Sequence, residues 1–488
     1  MDPRLPALSP GARWALAALA GVLNGVAFIF WGPAALLANV PLLWALHGAR
    51  SRWLTAGLGG LVGFLGGLHI YGILDYGQLL FWGFAGYTGS QMVLYALLHR
   101  ALWGKLHPAA DLALPALIWT LTEWLRTVGP LAMPASYVGC IADVPGLRPW
   151  LALAPHTGGL GVSTLVAIAQ SVIFHGVFGD RPHRRWAAVG AGLLAAAWAT
   201  GFAFPPPLGD RPIQVAGVQG GLANGQYTAA YADPLAAADV VRTYATLSEQ
   251  AYRTTAALVV WPETAVREPM LDRPRTAPGF PRDGDRAVLL AGLLHRADGQ
   301  AFNRAVAVAP GGRILGHYDK VRTVPKTEDY LTKGPAWRPI DTPAGRLGPI
   351  ICLESVYPDA SRAMVGNGAE LLLVMSNDAG FGRSPITRHM TNRAIVRAVE
   401  TGRWLLRVGQ AGITTLIDPR GVRHGQLGLF EPGLLEGEAR LRGDQTLWVR
   451  WGPWWMGLCG LSLLAIGAAT LRRRRRGAAP GAAGPNAA

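Results

Sequence analysis

The chain has 488 residues, half of them hydrophobic and only 15% charged, with a formal net charge of +15. That composition is too apolar for one ordinary soluble domain. Five of the positive charges are the arginine run at 472–476, which reads as an anchor beside anionic headgroups; the others are scattered without a basic stripe, so nucleic acid is excluded as a partner.

Apolar residues are clustered along the chain. Long stretches with little charge dominate residues 12–204, and at roughly 20 residues per hydrocarbon crossing they predict about seven helices. These fall near 12–31, 34–48, 54–74, 79–98, 111–127, 159–178 and 186–204, the second being short; an eighth follows near 453–471. Arg4 and Arg13 precede the first span, Arg50 and Arg52 follow the second, Arg100 and Lys105 the fourth, and Arg181, Arg184 and Arg185 the sixth. Spans three and four have no Lys or Arg between them, and residues 127–158 hold only Arg148. The cytoplasmic excess of basic residues then predicts that both termini are cytoplasmic and that 205–450 lies outside. The expected domains are a membrane domain over 1–204, a catalytic domain over 205–450, an eighth span over 451–471, and a basic then disordered tail over 472–488.

Three cysteines, Cys140, Cys352 and Cys459, fall in three different settings and make no disulfide framework. No His and Cys spacing fits a zinc site, so neither a metal nor another cofactor is expected, and nothing requires an oligomer.

The three prolines at 205–207 give a stiff exit into the soluble block. There, short runs rich in Val, Ile and Leu recur at 213–218, 257–261, 287–294, 305–309, 314–318, 347–351, 371–376 and 405–417, which predicts buried strands. Pro310, Gly311 and Gly312 mark a hairpin turn between two of them. Residues 235–252 and 387–401 carry helix formers with apolar positions three or four apart. Strands alternating with helices predict a layered α/β sandwich, and about 245 residues are enough for its core.

Three residues on this scaffold suggest chemistry. Pro262 halts the strand at Trp261 so that Glu263 projects from its end, as a general base or as a helix-start carboxylate. Lys320 follows the second strand of the hairpin, as an oxyanion stabiliser or as a solvated lysine. Cys352 follows the apolar run 347–351, as a nucleophile or as inert packing. Together they supply nucleophile, proton shuttle and cation for acyl transfer through a thioester: water as acceptor gives hydrolysis, an amine gives acylation.

The motifs around them resemble the nitrilase, or carbon-nitrogen hydrolase, superfamily, and with the membrane layout its membrane-bound branch, the apolipoprotein N-acyltransferases. The resemblance rests on Trp261-Pro262-Glu263, Tyr318-Asp319-Lys320, Ile351-Cys352-Leu353-Glu354, Ser376-Asn377-Asp378-Ala379, Glu400-Thr401-Gly402-Arg403 and, in the membrane part, Glu123-Trp124-Leu125-Arg126. It covers nearly all of the chain except the tail. It implies a polytopic α-helical membrane domain of about eight spans joined to an extracytoplasmic nitrilase-like αββα sandwich. It also implies a Glu263, Lys320 and Cys352 triad with Glu328, Glu354 and Asn377 in supporting or substrate-binding places.

The implied reaction moves the sn-1 acyl chain of a phospholipid, such as phosphatidylethanolamine, to Cys352. From there the chain passes to the α-amine of a diacylglyceryl-cysteine at an apolipoprotein N-terminus, in a bacterial inner membrane and by a monomer. Departures from the family pattern are Leu353, Gly380, the Lys326-Thr327 pair and Ala135 after Pro134. They keep two alternatives open: a membrane-tethered amidase or nitrilase using water, and a degenerate paralogue that binds lipid or lipoprotein without turnover. Trp448, Trp451, Trp454 and Trp455 are expected in the interfacial belt or as simple anchors of the last span.

Overall fold

The computed structural model describes residues 7–128, 136–230, 232–266 and 269–477; Arg4, Pro134, Ala135 and the tail from 478 lie outside the described residues. Five helices among these are long and apolar enough to cross a membrane: Pro10–Ile29, Arg52–Leu74, Gly159–Phe178, Arg181–Ala203 and Trp454–Arg475. Helices Gln78–Leu102 and Pro108–Leu125 stand where the fourth and fifth spans were expected. Local chemistry sets the helix starts. The Ser9 hydroxyl accepts from Ala12 N–H at 3.2 Å and Asp180 from His183 N–H at 3.2 Å, each with proline in the first turn.

The expected second span differs. It is broken into a 3-10 turn, Gly32–Leu36, and a short helix, Val40–Leu46. Asn39, between them, is buried and ties the break to its neighbours: it accepts from Asn24 Nδ2 at 3.1 Å and donates to Tyr137 Oη at 3.0 Å. A polar side chain buried among apolar helices must find such partners, and the chain bends here to supply them. The helices Arg52–Gly67 and Gln78–Leu102 approach closely because Gly59 and Gly63 carry no side chain. A Cβ there would sit 2.3 Å from the Met92 carbonyl oxygen and 2.2 Å from that of Thr88. Glu123 and Arg126 are both buried. Glu123 accepts from Trp119 Nε1 at 2.7 Å and Tyr137 N–H at 2.8 Å, while Arg126 donates to Gln91 and stacks over Trp119.

Twelve strands follow among the described residues. They are β1 Arg211–Gln219, β2 Leu258–Val260, β3 Val288–Ala297, β4 Gln300–Ala309, β5 Arg313–Asp319 and β6 Ile340–Thr342, then β7 Gly345–Ile351, β8 Leu371–Ser376, β9 Leu405–Gly409, β10 Thr415–Ile417, β11 Arg423–Gln426 and β12 Gly433–Leu441. They form two six-stranded sheets, ordered β12-β1-β2-β3-β4-β5 and β11-β10-β9-β8-β7-β6. In each the central strands run parallel and the flanks antiparallel. Alternate residues of the strands divide between two cores. Val215, Leu258, Val260 and Leu290 face the second sheet, while Ala216, Val218, Val259 and Leu289 pack with Val240 and Tyr244 of the helix Pro234–Tyr252. Helices Pro358–Gly366 and Ile386–Thr401 cover the far face of the second sheet, completing four layers.

Arg407 on β9 and Asp378 are both fully buried and form an ion pair. Arg407→Met would leave Asp378 charged and unpaired in the interior, so unfolding in detergent should show a loss of about 3–5 kcal/mol.

The helix Ile386–Thr401 also seats the sandwich on the helices that precede it in the chain. Glu400 Oε2 accepts from Gly159 N–H at 3.1 Å, and Asn392 Nδ2 donates to the Gly139 carbonyl at 3.1 Å. Of the four tryptophans near the last helix, Trp451 is exposed. Trp448 is buried against Gly158, so it packs rather than joining a belt; Trp454 and Trp455 donate to His156 O at 2.8 Å and Thr164 Oγ1 at 3.0 Å.

Candidate active site

The ends of β2, β5 and β7 bring Glu263, Lys320 and Cys352 to one side of the sandwich. Trp261 is fully buried and its indole donates to Ser248 Oγ at 2.8 Å, fixing the chain just before Glu263. Neighbouring β3 must be glycine at 292, since a Cβ there would lie 2.0 Å from the Pro262 carbonyl oxygen. Among the described residues no helix begins at Glu263: 263 and 264 turn and Val266 bridges to Leu293. The helix-start reading is thereby overturned, because its Oε1 accepts from Lys320 Nζ at 2.9 Å and Asn303 Nδ2 at 2.7 Å, and its Oε2 from Asn377 N–H at 2.9 Å.

Lys320 is not a solvated lysine. It is 1% exposed, its N–H donates to Asn303 O at 2.9 Å, and its ammonium also donates to Glu328 Oε1 at 2.8 Å. Burial opposes its charge, but the carboxylates of Glu263 and Glu328 outweigh that and hold its pKa above the ordinary lysine value. Glu328 in turn accepts Val324 N–H on its other oxygen at 2.7 Å, closing the turn that carries it.

Cys352 is partly buried and takes φ +50° where β7 passes into the 3-10 turn Cys352–Val356. Five described non-glycine residues have positive φ, and three of them, Thr264, Lys326 and Cys352, line the same cavity. Each such backbone costs about 1–3 kcal/mol and persists only where the surroundings enforce it, which concentrates strain at this site. Burial, then Glu263, pushes the Cys352 thiol well above the ordinary thiol range, with Lys320 opposing. The group therefore stays a thiol at neutral pH. Iodoacetamide labelling of Cys352 should be slow at pH 7 and still be rising where a free cysteine, with its pKa of about 8.5, has levelled off; a plateau at or below the free-cysteine range would contradict this, as read by labelled-peptide mass spectrometry.

The supporting residues divide by role. Glu328 touches Lys320 directly. Asn377 serves through its backbone N–H and lines the cavity. Glu354 is fully buried, and its two oxygens accept from Tyr318 Oη, Ile351 N–H, Val321 N–H, Arg322 N–H and, at 3.3 Å, Trp337 Nε1. It ties the segment after Lys320 to the segment before Cys352 and presents nothing to a substrate. Asn303, unremarked in the sequence, stands among the charged groups; the available signal was a polar residue at an inward position of an alternating apolar strand.

These groups open into a cavity of about 860 Å³. One wall carries Glu263, Asn303, Glu328, Cys352 and Asn377. The other comes from the N-terminal helical part of the chain and is apolar, with Phe28, Ile70, Ile73, Leu79, Leu80 and Phe84. The departures Lys326, Thr327, Leu353 and Gly380 line it too.

Residues 285–443, which hold most strands of the four-layer α/β sandwich together with Lys320 and Cys352, match the family model described as carbon-nitrogen hydrolase. Residues 20–172 match the apolipoprotein N-acyltransferase N-terminal domain. The chain is 32% identical over 453 residues to the apolipoprotein N-acyltransferase of Azotobacter vinelandii, covering 81% of this chain and 84% of that protein. With that of Pseudomonas aeruginosa it shares 30% over 508 residues, 93% and 95% of the two chains. The chain belongs to the apolipoprotein N-acyltransferase family. Among solved structures, a carbon-nitrogen hydrolase from Helicobacter pylori matches at 20% identity over 47% of this chain and 89% of that one, with a TM-score of 0.37.

Proposed function

We propose that this protein transfers an acyl chain from a phospholipid to the α-amino group of the N-terminal diacylglyceryl-cysteine of apolipoproteins, by a ping-pong cycle through a thioester on Cys352. The observation that carries this reading is the cavity that joins Cys352 and Glu263 to an apolar wall of membrane helices. A lipid tail can lie there without leaving an apolar environment while its ester reaches the thiol.

In the first half, Cys352 Sγ attacks the donor ester carbonyl as Glu263 removes the thiol proton. Oε2 of Glu263 carries one donor where Oε1 carries two, so it has the freer lone pair for that proton. The Lys320 ammonium stabilises the tetrahedral oxyanion. When the C–O bond breaks, Glu263 returns the proton to the glycerol oxygen, and a lysophospholipid leaves. In the second half the acceptor amine attacks the thioester carbonyl, Glu263 takes its proton, the C–S bond breaks, and Cys352 regains a proton as the amide departs. Side chains and substrates carry every proton and acyl group in the cycle.

The same reading takes the seven helical segments before residue 204 and the one after 450 as eight spans of an inner membrane, with the sandwich over 205–450 on the extracytoplasmic side and both termini cytoplasmic. The alternating basic loops support this orientation. A reporter fused after residue 476 should be active only in the cytoplasm; an extracytoplasmic signal overturns the topology. For the reaction, purified protein in vesicles of labelled phosphatidylethanolamine with a diacylated lipopeptide should yield labelled N-acyl peptide. Free fatty acid as the sole product would favour water as acceptor, and no turnover a binding protein.

A further inference from the structure

We propose that Asn303 is a positioning residue for the reaction, holding two carboxylates and one lysine in a single working arrangement. The inference rests on the Glu263, Lys320 and Cys352 reading above. Asn303 is 2% exposed and touches every charged member of the cluster. Its Nδ2 donates to Glu263 Oε1 at 2.7 Å and reaches Glu328 Oε1 at 3.5 Å, while its backbone carbonyl accepts the N–H of Lys320 at 2.9 Å.

The need for such a group follows from counting donors. Glu263 Oε1 and Glu328 Oε1 lie 2.9 and 2.8 Å from the same ammonium, so two carboxylates converge on one cation. Carboxylates so placed repel each other, so holding both on one ammonium calls for a further donor. An amide N–H between them adds a second donor with no added charge and fixes which face of Glu263 is taken. The neighbouring charged pairs are already engaged elsewhere. Arg304, next along β4, is bonded to Asp319, and Asp378 to Arg407, so neither cation is free to stand in for the amide. With Lys320 Nζ on the same oxygen and Asn377 N–H on the other, Asn303 Nδ2 is the uncharged side-chain donor that holds Glu263 with Oε2 directed to the reacting atoms.

The experiment measures thioester formation on Cys352 and steady-state transfer, in vesicles, for full-length wild type, Asn303→Ala, Asn303→Asp, Glu328→Gln and the Asn303→Asp/Glu328→Gln pair. Misplacing a reacting group by about 1 Å costs on the order of 100-fold, so Asn303→Ala should lower kcat by about that factor with donor KM changed less than about twofold. Asn303→Asp, nearly the same shape, puts a third carboxylate in the cluster and should be worse. The paired exchange restores two carboxylates, one amide and one lysine, and should recover at least about 10-fold over Asn303→Asp alone. A purely structural asparagine gives no such recovery. Wild-type kcat in Asn303→Ala, a loss confined to KM, or an exchange pair no better than Asn303→Asp overturns the proposal. Absence of any Cys352 thioester in wild type would instead overturn the triad reading on which it rests.

Discussion

Cys352→Ala is expected to abolish both the acyl-enzyme and N-acyl transfer, a loss of about 10⁴-fold or more, as for nucleophiles of other covalent catalysts. The residue is at a strained turn with φ +50° and shares a cavity with Glu263, and neither feature suits a packing cysteine. Cys352→Ser should be nearly as inactive, because a hydroxyl holds its proton far more tightly than a thiol and Glu263 is arranged for the weaker task. Neither variant should lose much stability, since the side chain is only partly buried. Radiolabelled acyl transfer read alongside thermal unfolding separates the two effects. Activity retained within about 10-fold in the serine variant would remove Cys352 from the nucleophile's role.

Glu263→Gln should cost about 10²–10⁴-fold in kcat, the range for loss of a general base. The substitution keeps the shape and removes the proton acceptor. It also introduces an amide beside the Lys320 ammonium at 2.9 Å and the Asn303 amide at 2.7 Å, so donors face donors unless the new side chain turns. In the proposed cycle both half-reactions use this carboxylate, so thioester formation and its discharge should slow together in single-turnover measurements. Slowing of discharge alone would mean that another group deprotonates the thiol.

Much of this architecture was legible in the residues. The apolar runs at 213–218, 347–351 and 371–376 became β1, β7 and β8 because central strands buried on both faces read as continuous Val, Ile and Leu. The run at 405–417 was read as one strand and is two, β9 and β10, turning between Gly409 and Thr415. Strand β11 is exposed along its whole length, and β12 alternates Leu435, Ala439 and Leu441 with Glu436, Glu438 and Arg440; neither carries a continuous apolar signal. The broken second span turns on one asparagine whose partners, Asn24 and Tyr137, are far apart in the chain.

In the site, strand-end position marked Glu263 and Cys352, but the burial of Lys320 and the part played by Asn303 arise only when β4 and β5 pair. The cavity joins side chains near residues 28–87 to others between 263 and 390, a separation that no local pattern encodes. Family resemblance grouped Glu328, Glu354 and Asn377 with the triad without separating their roles. The hydrogen bonds do so: Glu328 on the lysine, Glu354 as an internal tie, and Asn377 through its backbone.

The central claim, acyl transfer through Cys352, is tested most directly by mass spectrometry of the intact protein after exposure to phosphatidylethanolamine, with peptide mapping of any adduct. The account predicts a mass increase of one acyl chain, hydroxylamine-labile and located on Cys352, which disappears when a diacylated lipopeptide is added as N-acyl peptide forms. An adduct on any other residue, or transfer to the peptide with Cys352 never acylated, would contradict it.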